Sequence, residues 1–240
     1  VEQPGLIHAL LLSTFAGASI PLGALLASRD GFIPGWLQDE FRHTVAAFGG
    51  GALFSAIALV LVPEGAERLN AFPALILFAA GGVLFFVVDR YLQMRGGHMA
   101  QFMAMMLDYV PEAMALGAIL ASDPSVALLL AGLIALQNFP EGFNAYRELK
   151  ENGAGSNRKL LLLHLAMVPV GPIAATIGMA TLVDTPQILG GIMLFAAGGI
   201  LYLLFEDVAP QARLDRHWAP PLGAVAGFLL GFAGNLAIAG

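Results

Sequence analysis

Long apolar runs, each about as long as a bilayer is thick, divide this chain into pieces that a water-soluble fold has no means to bury. A crossing helix needs roughly 20 mostly apolar residues, and that rule places about eight of them here. They lie near 5–27, 44–63, 72–92, 102–121, 125–146, 159–183, 187–207 and 219–239, separated by short charged or Pro/Gly-containing connections. Backbone groups in lipid must be satisfied within the segment, and these runs are far too long for barrel strands. The expected fold class is therefore all-α, a polytopic membrane bundle forming one transmembrane domain over residues 1–240. Composition agrees, since 58% hydrophobic and 12% charged residues leave too little polar surface for a soluble domain. The first run has no basic region before it and no small-residue cleavage site after it, so it reads as a retained span.

Lysine and arginine set the expected orientation, because cytoplasmic connections retain positive charge. Connections 1–2, 3–4, 5–6 and 7–8 hold Arg29, Arg42, Arg90, Arg95, Arg147, Lys150, Arg158, Lys159, Arg213 and Arg216, whereas the opposite side holds only Arg68. This predicts a multi-pass protein of the cell (inner) membrane with both termini on the non-cytoplasmic side. A formal charge of −6 without a basic stripe excludes a nucleic-acid partner. With no cysteine there is no disulfide, thiolate metal site or thiol chemistry. No nucleophile with a base, phosphate-binding glycine loop or metalloprotease His-Glu pair is present, so no enzymatic activity is expected.

A weak repeat runs through the chain. Phe48-Gly49-Gly50-Gly51 precedes Pro63 at the interval by which Phe195-Ala196-Ala197-Gly198 precedes Pro210, and the two segments belong to spans 2 and 7, which run in opposite directions. That is the mark of an inverted repeat in which spans 1–3 and 6–8 enclose a central pair. Leu77 to Gly82 in span 3 matches Leu194 to Gly199 more closely still, but those spans run in the same direction, which points to shared small-residue packing chemistry.

The central pair carries the charges. Asp108-Tyr109-Val110-Pro111-Glu112 lies in span 4 and Gln137-Asn138-Phe139-Pro140-Glu141 in span 5. A carboxylate at bilayer depth is costly and normally faces a cavity or a partner on an ion or substrate path. Positions i and i+4 share a helix face, so Asp108 with Glu112, and Gln137 with Glu141, each line one face. Asn138 lies about 100° round from Gln137 and reaches only an adjacent position. Antiparallel spans place Asp108 near the depth of Glu141, and Glu112 near that of Gln137. Pro111 and Pro140 lack an amide hydrogen and crowd the carbonyls of Leu107 and Leu136, which predicts kinks with freed oxygens. A divalent cation suits such an oxygen set, because it offsets the repulsion among buried carboxylates. A single buried glutamate can serve packing alone; three carboxylates and two amides at matched positions favour a metal site of Asp108, Glu112, Gln137, Asn138 and Glu141. The same carboxylates also suit a proton path.

At these residues the chain resembles the ZIP family of divalent-metal transporters, as a divergent bacterial-type member. The resemblance covers nearly the whole length: the span count, Pro-Glu motifs in the fourth and fifth spans, a second span ending in Leu61-Val62-Pro63-Glu64, and a Gly-rich seventh span. The family's fourth-span pattern His-Asn-x-Pro-Glu-Gly is matched only at Pro111 and Glu112. Its fifth-span pattern Gln-Asp-x-Pro-Glu-Gly is nearly intact as Gln137-Asn138-Phe139-Pro140-Glu141-Gly142. The resemblance implies a 3+2+3 inverted-repeat bundle that moves a divalent transition metal, Zn2+, Fe2+ or Mn2+, into the cytoplasm as its substrate, with no organic cofactor. The family completes a two-metal centre with a sixth-span glutamate, where this chain has Val168. With Tyr109 and Val168 at the partner position, one metal site is expected, and Asp108 in place of histidine moves it towards all-oxygen ligation and towards manganese or iron. A fold-retaining protein with a structural or metal-sensing role is the alternative.

His164, one turn to the cytoplasmic side of Val168, and Glu206, at the end of span 7 beside Asp207, are the further candidates for an ion path. His8, His43, His98 and His217 read as interfacial, as do Trp36 and Trp218. Asp89 beside Arg90 reads as interfacial pairing, and Met105, Met106, Met114 and Met167 as packing. Gly223, Gly227 and Gly231 let another helix approach span 8 closely. That helix belongs either to the same bundle or to a second copy, and the resemblance allows a homodimer.

Overall fold

The structure is a computed structural model and describes residues 3–29, 38–94, 100–211 and 219–239. Trp36, Trp218, His98, His217, Arg95, Arg213 and Arg216 lie outside the described residues. The described residues form helices and no strands. In chain order these are α1 (Gln3–Ala27), α2 (Gln38–Ala56), α3 (Val62–Glu67), α4 (Ala71–Met94), α5 (Ala100–Ile119), α6 (Pro124–Glu151), α7 (Asn157–Leu165), α8 (Val170–Thr181), α9 (Pro186–Leu203), α10 (Ala209–Gln211) and α11 (Ala219–Ala239). Among them are 7 continuous or nearly continuous stretches long and apolar enough to cross a membrane: Gly5–Ala27, Asp39–Glu67, Ala71–Met94, Pro124–Glu151, Asn157–Thr181, Pro186–Val208 and Ala219–Ile238. The protein is a multi-pass membrane protein. Helix α5, 20 residues long, packs among these stretches against α6, α8 and α9.

Proline decides where the helices depart from regularity. Between α2 and α3, residues Ile57–Leu61 form a π-helical turn closed by Val62 N–H to the Ile57 carbonyl, immediately before Pro63. Between α9 and α10, Leu204–Val208 form a second π turn closed by Ala209 N–H to the Leu204 carbonyl, immediately before Pro210. A proline ring crowds the carbonyl four residues back, and the wider turn makes room for it. The sixth run breaks instead. At Ala166–Pro169 the chain tightens, with Met167 N–H bonding to His164 O at 3.1 Å and Val168 N–H to Leu165 O at 3.2 Å, before α8 begins at Val170. Helices α5 and α6, by contrast, pass through Pro111 and Pro140 without a π turn or break.

Four helix pairs dominate the packing: α1 with α6, α2 with α11, α4 with α9, and α5 with α8. All four use one device. In α1 and α6, Gly23 abuts the Phe139 carbonyl while Gly142 abuts the Ile20 carbonyl. Gly117 and Gly178 meet the carbonyls of Ala175 and Met114 between α5 and α8. Gly51 and Gly227 meet those of Ala224 and Phe48, and Gly81 and Gly198 those of Phe195 and Phe78. A Cβ at any of these glycines would overlap the facing carbonyl oxygen, so each pair approaches at backbone contact, as small residues permit in membranes. Helix α11 thus spends its glycine face on α2: Gly223 abuts Thr44, Gly227 the Phe48 carbonyl, and Gly231 the Ser55 hydroxyl. The close partner anticipated for that face lies within the bundle. The likeness of the Leu77–Gly82 and Leu194–Gly199 stretches is likewise that of two surfaces in contact, Phe78 and Gly81 against Phe195 and Gly198.

Helices α4 and α11 are peripheral and present Leu75, Val83, Leu222 and Val225 outward. The core lies between α1, α2, α5, α6, α8 and α9.

Candidate functional site

The glycine run of α2 brings three helices to one point. Gly49 receives the ring of Pro140 from α6, Gly50 receives Val208 from the π turn after α9, and Gly51 receives the Ala224 carbonyl from α11. Around this junction lies a cavity of about 40 Å³, lined by Ala46, Gly49, Gly50, Leu53, Met105, Asp108, Pro140, Glu141, Asn144, Leu203, Asp207 and Val208. Its walls come from the first half of the Asp39–Glu67 stretch and of α5, the second half of α6, and the end of α9 with the π turn after it, so it sits in the half of the bundle nearest the connections that follow α1, α4, α6 and α10. A water needs roughly 10–15 Å³ of such space, so about three waters, or an ion stripped of most of its hydration shell, fit.

Asp108 and Glu141 both line this cavity, close enough to act on each other electrostatically, with Glu112 one turn further along α5. Adjacent buried carboxyls need a shared proton or a cation between them. One turn deeper, Gln137 Nε2 donates to Glu112 Oε2 at 2.5 Å, and neither side chain has any exposed surface. The expected depth matching of Asp108 with Glu141 and of Glu112 with Gln137 is what the two helices display. Asn138 turns away from the cavity and donates from Nδ2 to the Ala16 carbonyl of α1 at 3.1 Å. The carbonyls of Leu107 and Leu136 do not reach the cavity lining.

Six side-chain oxygens in this region are buried without a hydrogen-bond partner: Asp108 Oδ1, Glu112 Oε1, Gln137 Oε1, Asn138 Oδ1, Glu141 Oε2 and Asn144 Oδ1. All are acceptors. Buried polar atoms are normally paired, so a concentration of unpaired acceptors calls for a cation or donor. Among the described residues, however, no three His, Cys, Asp or Glu side chains converge as a ready metal-ligating group. The carboxylates stand in two layers, with Asp108 and Glu141 at the cavity and Glu112 held by Gln137.

Two lining residues are not singled out by the sequence pattern of the Pro-Glu motifs. Asn144 lies three residues after Glu141 on the same face of α6, a spacing that would have pointed to it. Asp207, rather than its neighbour Glu206, enters the cavity from the π turn. Glu206 instead accepts from Gln93 Nε2 at 3.0 Å, and Gln93 also bonds Asp89, which accepts from the Tyr202 hydroxyl at 2.9 Å. Asp89 is therefore a buried member of an α4–α9 network rather than an interfacial partner of Arg90. His164 is fully buried off the cavity, with Nδ1 against the Leu160 carbonyl at 2.8 Å and its ring edge-on to Phe102 and beside Tyr146.

The chain matches no protein-family model and no curated protein sequence.

Proposed function

We propose that this protein carries a divalent transition-metal cation across the membrane, and that its substrate site is the Asp108–Glu141 pair together with Asn144 and Asp207 of the same cavity. The observation that carries the reading is that three residues lining one small cavity, Asp108, Glu141 and Asn144, each keep a buried acceptor oxygen without a hydrogen-bond partner. An all-oxygen set with two adjacent carboxyls suits Mn2+ or Fe2+ better than Zn2+. Glu112, already bonded by Gln137, is a second charged stop one turn further along the path.

In this reading α5 is the eighth span, and spans 1–3 and 6–8 form an inverted repeat around α5 and α6. The packing supports it. Exchanging α1 with α8, α2 with α9, α4 with α11 and α5 with α6 converts each reciprocal glycine contact into another of the same kind. The π turns before Pro63 and Pro210 exchange as well. In the register of these contacts Glu112 is the counterpart of Gln137, so the two Pro-Glu motifs are offset by one helical turn rather than equivalent. With positively charged connections at the cytoplasmic face, the cavity opens towards the cytoplasm and the ion leaves past Asp207. The transport path, repeat and ligand chemistry together make a ZIP-like carrier in the cell membrane.

The test is metal uptake by purified protein in sealed vesicles. Glu141→Ala and Asp108→Ala should abolish uptake of Mn2+ or Fe2+ while leaving the protein folded, and unchanged uptake in either would sink the assignment. The adjacency of Asp108 and Glu141 favours a second reading, a proton path through the same carboxyls. Flux that tracks a pH gradient in chelated buffer would select it.

A further inference from the structure

Beyond Asp108, α5 closes. Its next inward residues, Tyr109, Ala113 and Leu116, are exposed by 1% or less, and the cavity takes its lining from the other half of the bundle. Tyr109 is the largest of them and reaches across to two other spans. Its hydroxyl donates to the Ser13 carbonyl of α1 at 3.3 Å. Its phenol oxygen occupies a notch cut by Gly17 of α1 and Gly171 of α8, where a Cβ on either glycine would overlap it. The Val168 carbonyl borders the same notch, from the turn at which the sixth run breaks. A bulky ring is thus held by one neutral hydrogen bond and by shape, in a seat made of two glycines and a helix break.

We propose that Tyr109 is the barrier between the cavity and the opposite end of the bundle, and that its withdrawal from the Gly17–Gly171 notch opens the path there. Helices α1 and α8 are the elements it must release. Glycine seats leave no side chain to interlock with the ring, so separation of α1 and α8 from α5 costs the Ser13 bond and contact area, and breaks no ion pair. The inference rests on the transport reading only for its purpose, because the accessibility of the seat can be measured without any metal.

The chain has no cysteine, so a single Ser13→Cys, a near-isosteric change at a fully buried position, reports access to the seat. In sealed vesicles a membrane-impermeant maleimide should label it slowly from either face. Adding Tyr109→Ala should accelerate labelling by at least about tenfold, from the end bearing connections 67–71, 119–124 and 181–186. Tyr109→Phe keeps the ring and removes only the bond, so it should accelerate labelling by about three- to tenfold, the factor set by one neutral hydrogen bond. That variant decides the matter if Tyr109→Ala does not fold. Equal rates with and without these changes, or acceleration equally from both faces, would overturn the proposal. Loss of metal uptake in the carboxylate variants with this labelling pattern intact, or the reverse, separates the barrier from the substrate assignment.

Discussion

Gln137 Nε2 donates to Glu112 Oε2 at 2.5 Å, joining an amide of α6 to a carboxyl of α5 where neither has exposed surface. Glu112 Oε1 has no partner, so this bond is the satisfaction its carboxyl receives from the protein. Gln137→Leu keeps the bulk and removes the donor. Leaving a buried acceptor bare costs about 1–3 kcal/mol. The thermal midpoint in detergent should fall by several degrees, and an unchanged midpoint would show that the bond contributes nothing to the fold.

In the proposed reading Asp108 and Glu141 should behave differently, because both line the cavity and each keeps a buried oxygen without a partner. A ligand that binds only the folded state raises its apparent stability by about 2.7 kcal/mol at a hundred times its Kd. Millimolar Mn2+ should therefore raise the thermal midpoint of the native protein. Asp108→Asn and Glu141→Gln should each lose that rise, and Asp207→Asn should retain part of it. A full metal response in both cavity-pair variants would remove the cation from this site.

The start of α6 offers a test away from the site. Asp123, in extended conformation ahead of Pro124, accepts from the Ser125 and Val126 amides at 3.0 Å each. These are helix-terminal donors with no partner inside the helix. Asp123→Ala should cost about 1 kcal/mol and Asp123→Ser only a fraction of it. Metal uptake should be unaffected by either, measured in the same vesicles.

How much of the fold and site is legible in the sequence depends on the physical signal each feature leaves. Seven of the eight expected spans follow from hydropathy, whereas α5, which carries Asp108 and Glu112, is not among the stretches apolar enough to cross; the depth matching of Asp108 with Glu141 and Glu112 with Gln137 follows from antiparallel helices of known rise. The entry of Asp207 into the cavity in place of Glu206 is not legible. A π turn adds a residue and rotates the rest of the helix by about 100°, which a count in steps of 3.6 does not see. Nor does spacing choose the partner of Gly223, Gly227 and Gly231, since a glycine face admits any smooth helix; it is α2 that meets them. Tyr109 reads in the sequence as a lost ligand, and its seat becomes visible only when Gly17 and Gly171, far apart in the chain, come together around it.

The reciprocal glycine contacts separate two kinds of glycine in the central helices. Gly117 of α5 faces the Ala175 backbone, and a Cβ there would overlap the carbonyl oxygen and approach the Ala175 Cα to 2.8 Å. Gly132 of α6 has nothing within 4 Å of such a Cβ. Replacing a helical glycine by alanine is favourable by about 1 kcal/mol when space allows, whereas forced overpacking costs about 1–3 kcal/mol or more. Gly132→Ala should thus raise the thermal midpoint, and Gly117→Ala should lower it. Because the clash at Gly117 is with main chain, trimming the neighbour by Ala175→Gly should not restore stability. Rescue by that second change would show that side-chain bulk, rather than backbone contact, sets the distance between α5 and α8.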